Sequence, residues 1–360
     1  MSCECFECMV DESAGLAEPY EPAPKRVLLT GAGGFVAHHC LEHILVNTDW
    51  EIVCLDSFRH RGKTDRIREV IDGKPELAGR VTVLAHDLRV PVSRQLNLEI
   101  GPVDYVVSMA SESHVDRSCA EPRAFVENNV QLVLTVLEWV RERLETIEKI
   151  VHISTDEVYG PALDHNHREG EPHRPSNPYS ASKACQEDIV YAYWRTYGLP
   201  VAISNTMNII GERQDPEKFV PMVLSKVLAG ETVPIHASET GVPGSRFYLH
   251  ARNQADALVH LLENVTFPVY RGQPDLLRVN VVGEREIDNL EMAKMVAAHA
   301  GKVLDYELVS FHQSRPGHDL RYALDGTRMG HLGWSPPVPL EQSLRKTVEW
   351  TLAHPEWLLA

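Results

Sequence analysis

The chain has no apolar run approaching the roughly 20 residues that a membrane-spanning helix needs, which excludes a membrane span. It also lacks a basic excess: 35 Lys and Arg stand against 51 Asp and Glu, a formal net charge of −16. Binding to nucleic-acid phosphates requires a basic footprint, so nucleic acid is excluded as a partner, although a few local arginines can still hold a small anion. The residues from Met1 to Phe6 are acidic, with no apolar segment of the kind a secretory signal carries. Cysteine is scarce, at 7 in 360 residues, and without an export signal these are expected as reduced thiols in the cytoplasm. Cys3, Cys5 and Cys8 crowd the start, but three thiols with no clear fourth ligand match no structural metal spacing, and no metal is expected. Pro19, Pro22 and Pro24 suit an extended linker, so residues 1–24 read as a flexible leader. Internal repeats and low-complexity tracts are absent too. The apolar fraction of 43% and charged fraction of 24% are those of one or two ordinary soluble domains.

What is present begins with a short apolar run, Arg26 to Thr30, then Gly31-Ala32-Gly33-Gly34-Phe35-Val36-Ala37. An amphipathic stretch follows with Cys40, Leu41, Ile44 and Leu45 on one helical face. Strand, glycine turn and helix together make a dinucleotide site. Gly31, Gly33 and Gly34 allow a tight turn and close backbone approach, and the helix that opens at Phe35 and Val36 faces the pyrophosphate with its N-terminus. The next strand, Glu51 to Leu55, ends at Asp56 and Ser57. Asp56 is placed to bond a ribose hydroxyl pair and would repel a 2′-phosphate, which favours NAD over NADP; Arg59 and Arg61 nearby are the opposing signal. Further strands are expected at 81–86, 103–109, 147–154 and 201–205, with long helices at 122–143 and 178–197. The strand at 81–86 ends at Asp87 and Leu88, where an adenine edge would be met.

Repeated strand–helix units predict an α/β fold: a Rossmann-like, doubly wound parallel sheet with ligands at the carboxyl ends of its strands. It is expected over 25–206, with 247–285 returning to it. After residue 206 frequent prolines change the rhythm, and 207–246 with 286–360 read as a smaller, mainly C-terminal substrate-binding domain.

Two stretches carry the chemistry. In Asn177-Pro178-Tyr179-Ser180-Ala181-Ser182-Lys183 the four-residue spacing puts a phenol and an ammonium on one helical face. The ammonium is expected to favour the phenolate, making Tyr179 a base below its usual pKa of about 10. Directly after the strand at 147–154 comes Thr155-Asp156-Glu157-Val158-Tyr159-Gly160. An adjacent acid pair at a strand end is either an acidic turn with Asp156 as a helix cap or a general acid beside a general base. The second reading requires that the strand has already ended, because consecutive strand residues face opposite ways.

Thr-Gly-Ala-Gly-Gly-Phe, Ser-Thr-Asp-Glu-Val-Tyr-Gly and Tyr-Ser-Ala-Ser-Lys, in this order, resemble the extended short-chain dehydrogenase/reductase family and, within it, the nucleotide-sugar 4,6-dehydratases of the dTDP-glucose type, from about Lys25 to Leu352. The resemblance implies NAD as cofactor and transient oxidation of a hexose at carbon 4. Tyr179 would be the base, aided by Lys183 and Thr155; Glu157 would take the carbon 5 proton and Asp156 protonate the departing 6-hydroxyl. It implies cofactor contacts from Met109, Ala110, Ser111, Asn129, Ser154 and Asn205. Sugar contacts would come from Ser111, Glu112 and Ser113, and nucleotide or diphosphate contacts from Asn208, Glu217, Lys218, Phe219, Val220, Pro234, His236, Arg246, Arg315 and His318. It further implies a homodimer through two long helices, with Leu132, Leu134, Tyr191 and Trp194 facing either the partner or the core. Substitutions around the nucleotide, among them His250 where the family often has a base-stacking tyrosine, leave the base open; dTDP- or UDP-hexose is favoured. A 4-epimerase, a decarboxylase or a 5,6-dehydratase on the same scaffold are alternatives, as is a non-catalytic NAD-binding scaffold.

Overall fold

A computed structural model describes residues 23–59, 61–270, 275–310 and 319–359, so the leader with Cys3, Cys5 and Cys8 lies outside the described residues. Six strands form where the apolar runs predict them: β1 (Arg26–Thr30), β2 (Glu51–Asp56), β3 (Val81–Ala85), β4 (Tyr105–Ser108), β5 (Lys149–Thr155) and β6 (Val201–Thr206). The helices between them are α1 (Phe35–Asn47), α2 (Thr64–Asp72), α3 (Arg94–Ile100), α4 (Val115–Ala120), α5 (Pro122–Arg141) and α6 (Pro178–Tyr197). A further strand, Leu277–Val281, pairs with β6 and completes a seven-stranded sheet in the order β3-β2-β1-β4-β5-β6-(277–281), parallel throughout. The strand order reverses between β1 and β4, the switch point at which open α/β sheets bind ligands.

A parallel sheet must be covered on both faces, and the alternation along each strand shows how. Val27 and Leu29 of β1 face a cluster built with α1, α2 and the helix Ala251–Asn264, which Met329 and Trp334 also join. Leu28 between them faces the opposite cluster, built with α3, α5 and α6. Trp194 of α6 is fully buried there and donates from its indole N–H to the Pro268 carbonyl at 2.7 Å, so it belongs to the core; Leu132 is buried too, while Leu134 and Tyr191 are only partly covered. A separate apolar core joins the helices Phe219–Ala229, Asn289–His299 and Leu340–Ala353 to the strand Val233–Ala237. Among the described residues no helix is long and apolar enough to cross a membrane.

Local chemistry fixes the start of α6, which matters most for the site. Pro178 takes the first helical position, where its missing N–H costs nothing. Asn177 caps the helix by accepting from the Ser180 N–H at 2.9 Å, and its own N–H donates back to the Ser180 hydroxyl at 3.1 Å. Gly198, at φ 72°, closes the far end in the left-handed region.

Candidate active site

A cleft of about 390 Å³ crosses the carboxyl ends of β1, β2, β4, β5 and β6. Its floor is the glycine turn. Gly31 sits at φ 70°, and a Cβ there would stand 2.9 Å from the Ala110 Cα, so glycine alone lets this turn close against the end of β4. Gly34 precedes α1 without offering a side-chain cap, which leaves the first N–H groups of the helix for a ligand. A helix end of that kind, lined by Phe35 and Val36, suits a pyrophosphate. Gly33 lies one layer back: its N–H donates to Asp56 at 2.9 Å, while the Phe58 N–H donates to the other Asp56 oxygen at 2.8 Å. Burial pushes the Asp56 carboxyl up, and these backbone donors oppose the shift. Each oxygen keeps a second lone pair for a ribose hydroxyl. Ser57 and Leu88 continue the wall, whereas Asp87 turns away to Arg89 and Arg59. The arginines that could have received a 2′-phosphate are engaged, Arg59 with Asp87 at 3.3 Å and Arg61 with Glu217 at 2.5 Å. The donor set therefore fits NAD.

The acid pair lies beyond the strand. β5 stops at Thr155, and Asp156–Tyr159 form a 3₁₀ turn, so Asp156 and Glu157 both reach the cleft. Asp156 is 5% exposed; one oxygen accepts from the Thr155 hydroxyl at 2.9 Å and the other has no protein partner. Burial, then the charge of Glu157, push its carboxyl up to about 7. Glu157 is raised as well, chiefly by burial, but the Asn177 amide donates to it at 3.1 Å and holds it toward its charged form. The Asn177 bond with the charges of Arg246 and Lys218 thus favours the anion at Glu157, and the charge of Glu157 in turn weighs against the anion at Asp156.

Tyr179 faces the same cleft at the start of α6, with Phe125 edge-on at 6.3 Å between ring centres. Here the structure corrects the expectation of a phenol biased toward its anion. Burial and the charge of Glu157 raise its pKa, opposed by the nearby Thr155 hydroxyl. The Lys183 amine is instead held by the Ile153 carbonyl and the Gln186 amide oxygen, both at 2.6 Å. Burial draws Lys183 down to about 7, against the charge of Glu187 one turn further along. The spacing predicted a shared helical face correctly; it carried no information about what else would compete for the ammonium.

The remaining candidates divide between wall and support. Met109, Ala110, Ser111, Glu112, Ser113 and Ser154 line the cleft, the first two anchored by their N–H groups on the Thr30 hydroxyl at 3.0 and 3.2 Å. Asn129 and Asn205 are fully buried behind it. Asn129 braces both backbone groups of Glu112 and the Ser182 hydroxyl, while Asn205 ties Glu187 to the Thr155 carbonyl. Asn208, Glu217, Lys218, Phe219 and Val220 form the opposite wall. Arg246 does not line the cleft: its guanidinium donates to the carbonyls of Ser245, Asp319 and Leu320 over the Tyr322 ring, although its charge reaches Asp156 and Glu157. Pro234 and His236 lie in the strand Val233–Ala237 and do not line it either. Arg315 and His318 fall outside the described residues. His250 is buried against Glu212, and Tyr248 lines the cleft instead. Sequence reasoning missed the supporting roles of Asn177 and Gln186. Asn177 before Pro178 carried a capping signal, but nothing in sequence announced its bond to Glu157.

The described family of NAD dependent epimerases and dehydratases matches residues 27–271. The dTDP-glucose 4,6-dehydratase of Neisseria meningitidis is 33% identical over 92% of this chain and 95% of its own length. A low-salt glycan biosynthesis protein of Haloferax volcanii is 33% identical, over 92% of this chain and 99% of its own. Among solved structures, the dTDP-glucose 4,6-dehydratase of Streptomyces venezuelae with NAD bound superposes with a TM-score of 0.80 at 31% identity, covering 93% of this chain and 99% of that one. These matches run through the glycine turn, the acid pair and the Tyr179–Lys183 helix alike, and the chain belongs to the NAD-dependent epimerase/dehydratase family.

Proposed function

We propose that this protein is an NAD-dependent dehydratase that converts a nucleoside-diphosphate hexose to its 4-keto-6-deoxy sugar. The observation that carries this reading is the Asp156–Glu157 pair turned into the cleft beside Tyr179. A 4-epimerase needs hydride exchange and a rotating sugar, and a buried acid pair would serve it nothing. The glycine turn and Asp56 would hold NAD, which would supply the hydride chemistry for oxidation at carbon 4 and reduction at carbon 6. Tyr179 accepts the proton of the 4-hydroxyl as its phenolate, the form that the positive charge of bound NAD would favour against burial, and the Thr155 hydroxyl orients that hydroxyl. The ketone formed at carbon 4 acidifies the carbon 5 hydrogen, and Glu157 removes it as a proton. Asp156, held protonated near neutrality by its surroundings, gives its proton to the 6-hydroxyl, which leaves as water. Lys218 and Asn208 on the far wall are the contacts we assign to the diphosphate side, with 207–246 and 286–360 as the substrate-binding lobe. The same reading takes the protein as a cytoplasmic homodimer, supported by the partly covered Leu134 and Tyr191 on the paired helices α5 and α6.

The test is incubation with dTDP-, UDP-, CDP- and GDP-hexoses in deuterated water. dTDP-glucose is offered first because similar proteins bear its name. Loss of one water with one deuterium gained at carbon 5 is expected; an unchanged mass with a new stereoisomer would replace dehydration by epimerisation.

A pH dependence follows from Asp156. Its acid form is present below about 7 and is lost as pH rises through that value, so elimination should slow progressively on the alkaline side. Lys183 loses its ammonium in the same window. The two are separated by following cofactor reduction in a single turnover: an alkaline limb in elimination but absent from reduction belongs to Asp156. Elimination that stays constant well above neutrality would remove Asp156 as the acid.

A further inference from the structure

Residues 160–176 join the turn that carries Glu157 to the helix that carries Tyr179, and they bring together three side chains that the reaction does not use. His165 Nε2 lies 3.2 Å and His167 Nδ1 2.7 Å from the same Glu171 oxygen, and one donor atom from each residue falls within 4.8 Å of the others. Metal–ligand bonds of about 2.0–2.2 Å at tetrahedral angles set ligand atoms roughly 3.3 Å apart, so small shifts would admit a cation.

Two features of the cluster suit it to a metal ion. His165 directs its Nδ1 to the Asp164 carboxylate at 2.9 Å. The other ring nitrogen, Nε2, faces Glu171 at 3.2 Å, so a ring that keeps its proton on Nδ1 would turn Nε2 toward the point where Glu171 and His167 converge. Outer carboxylate, imidazole and metal in that order is the arrangement in which zinc sites orient their histidines. The second feature is rigidity on one side of the cluster. His167 is held by its N–H to the Ala323 carbonyl and by its own carbonyl to Asp325 and Asn280, and its ring stacks on Tyr159 at 5.5 Å. The Arg168 N–H fixes the other Glu171 oxygen at 2.9 Å. His165 is half-exposed, which leaves a fourth position open to water.

We propose that His165, His167 and Glu171 bind a divalent cation of the zinc type through two nitrogens and one oxygen, stapling residues 160–176 to the strand and loop that hold Asn280 and Ala323. Nitrogen and carboxylate donors in this number select zinc-like ions over calcium or magnesium. The test uses the full chain with Cys3, Cys5 and Cys8 changed to Ser, so that free thiols do not compete for the added zinc. After chelator treatment, calorimetric titration with Zn²⁺ should show one ion per chain. His165→Ala and Glu171→Gln should each weaken it at least about tenfold, and Asp164→Asn by roughly 10–100-fold as an outer partner. Circular dichroism checks that each variant is folded, and Co²⁺ in place of Zn²⁺ should give the intense visible bands of a four-coordinate ion. No zinc uptake, or equal uptake by His165→Ala, would overturn the site and leave His165 as a protonated ring between two carboxylates. The readout is binding, so it stands or falls separately from the dehydratase reading.

Discussion

Glu157→Gln should accept substrate, reduce its cofactor and stop. The amide keeps the shape of the side chain and can still bond Asn177, which donates to Glu157 at 3.1 Å in the native protein. It cannot take a proton from carbon 5. Oxidation at carbon 4 depends on Tyr179, Thr155 and Lys183, which this change leaves in place, so the reduced-nicotinamide absorbance should rise on mixing with substrate and persist. Steady-state turnover should fall by about 10²–10⁴-fold, the usual contribution of a general base. No deuterium should enter carbon 5. Full turnover in this variant would transfer the role of base to another group, and an absence of cofactor reduction would mean that Glu157 also positions the sugar for the first step.

How far the sequence reaches is best judged residue by residue. The sheet and its glycine turn were legible because each is written in a short window: an apolar run of strand length, glycines at the turn, an amphipathic helix after it. The position of the acid pair was legible for the same reason, since its place at the end of β5 depends on counting along one strand. What the window could not contain were bonds across long separations. Arg246 was read as a diphosphate contact from its charge, yet its guanidinium is engaged by the carbonyls of Asp319 and Leu320, more than seventy positions along the chain. Arg61 looked like a signal for a 2′-phosphate until the fold brought Glu217 to it. The pKa of Tyr179 was misjudged in direction because charge spacing is local and burial is not. Lys183 is one turn away, but the desolvation of the phenol is imposed by α4, α5 and the loop after β5 together.

Tyr179→Phe should fail earlier than Glu157→Gln, and that difference tests the order of events. Phenylalanine keeps the ring against Phe125 and, lacking a phenol, has nothing to accept the 4-hydroxyl proton. The helix start should be unaffected, because Asn177, Pro178 and Ser180 build it and the Tyr179 N–H bonds the Ser118 hydroxyl through backbone alone. Turnover should drop by about 10²–10⁴-fold, and here no reduced cofactor should build up when substrate is added. The double variant is the sharper experiment. If Tyr179 acts in oxidation and Glu157 in the elimination that follows, Tyr179→Phe with Glu157→Gln must look like Tyr179→Phe alone, with the absorbance rise of Glu157→Gln abolished. Such losses are not additive when one step precedes another. A double variant that still accumulated reduced cofactor would show that another group, with Thr155 the first to examine, removes the 4-hydroxyl proton, and that the phenol serves only to position the sugar.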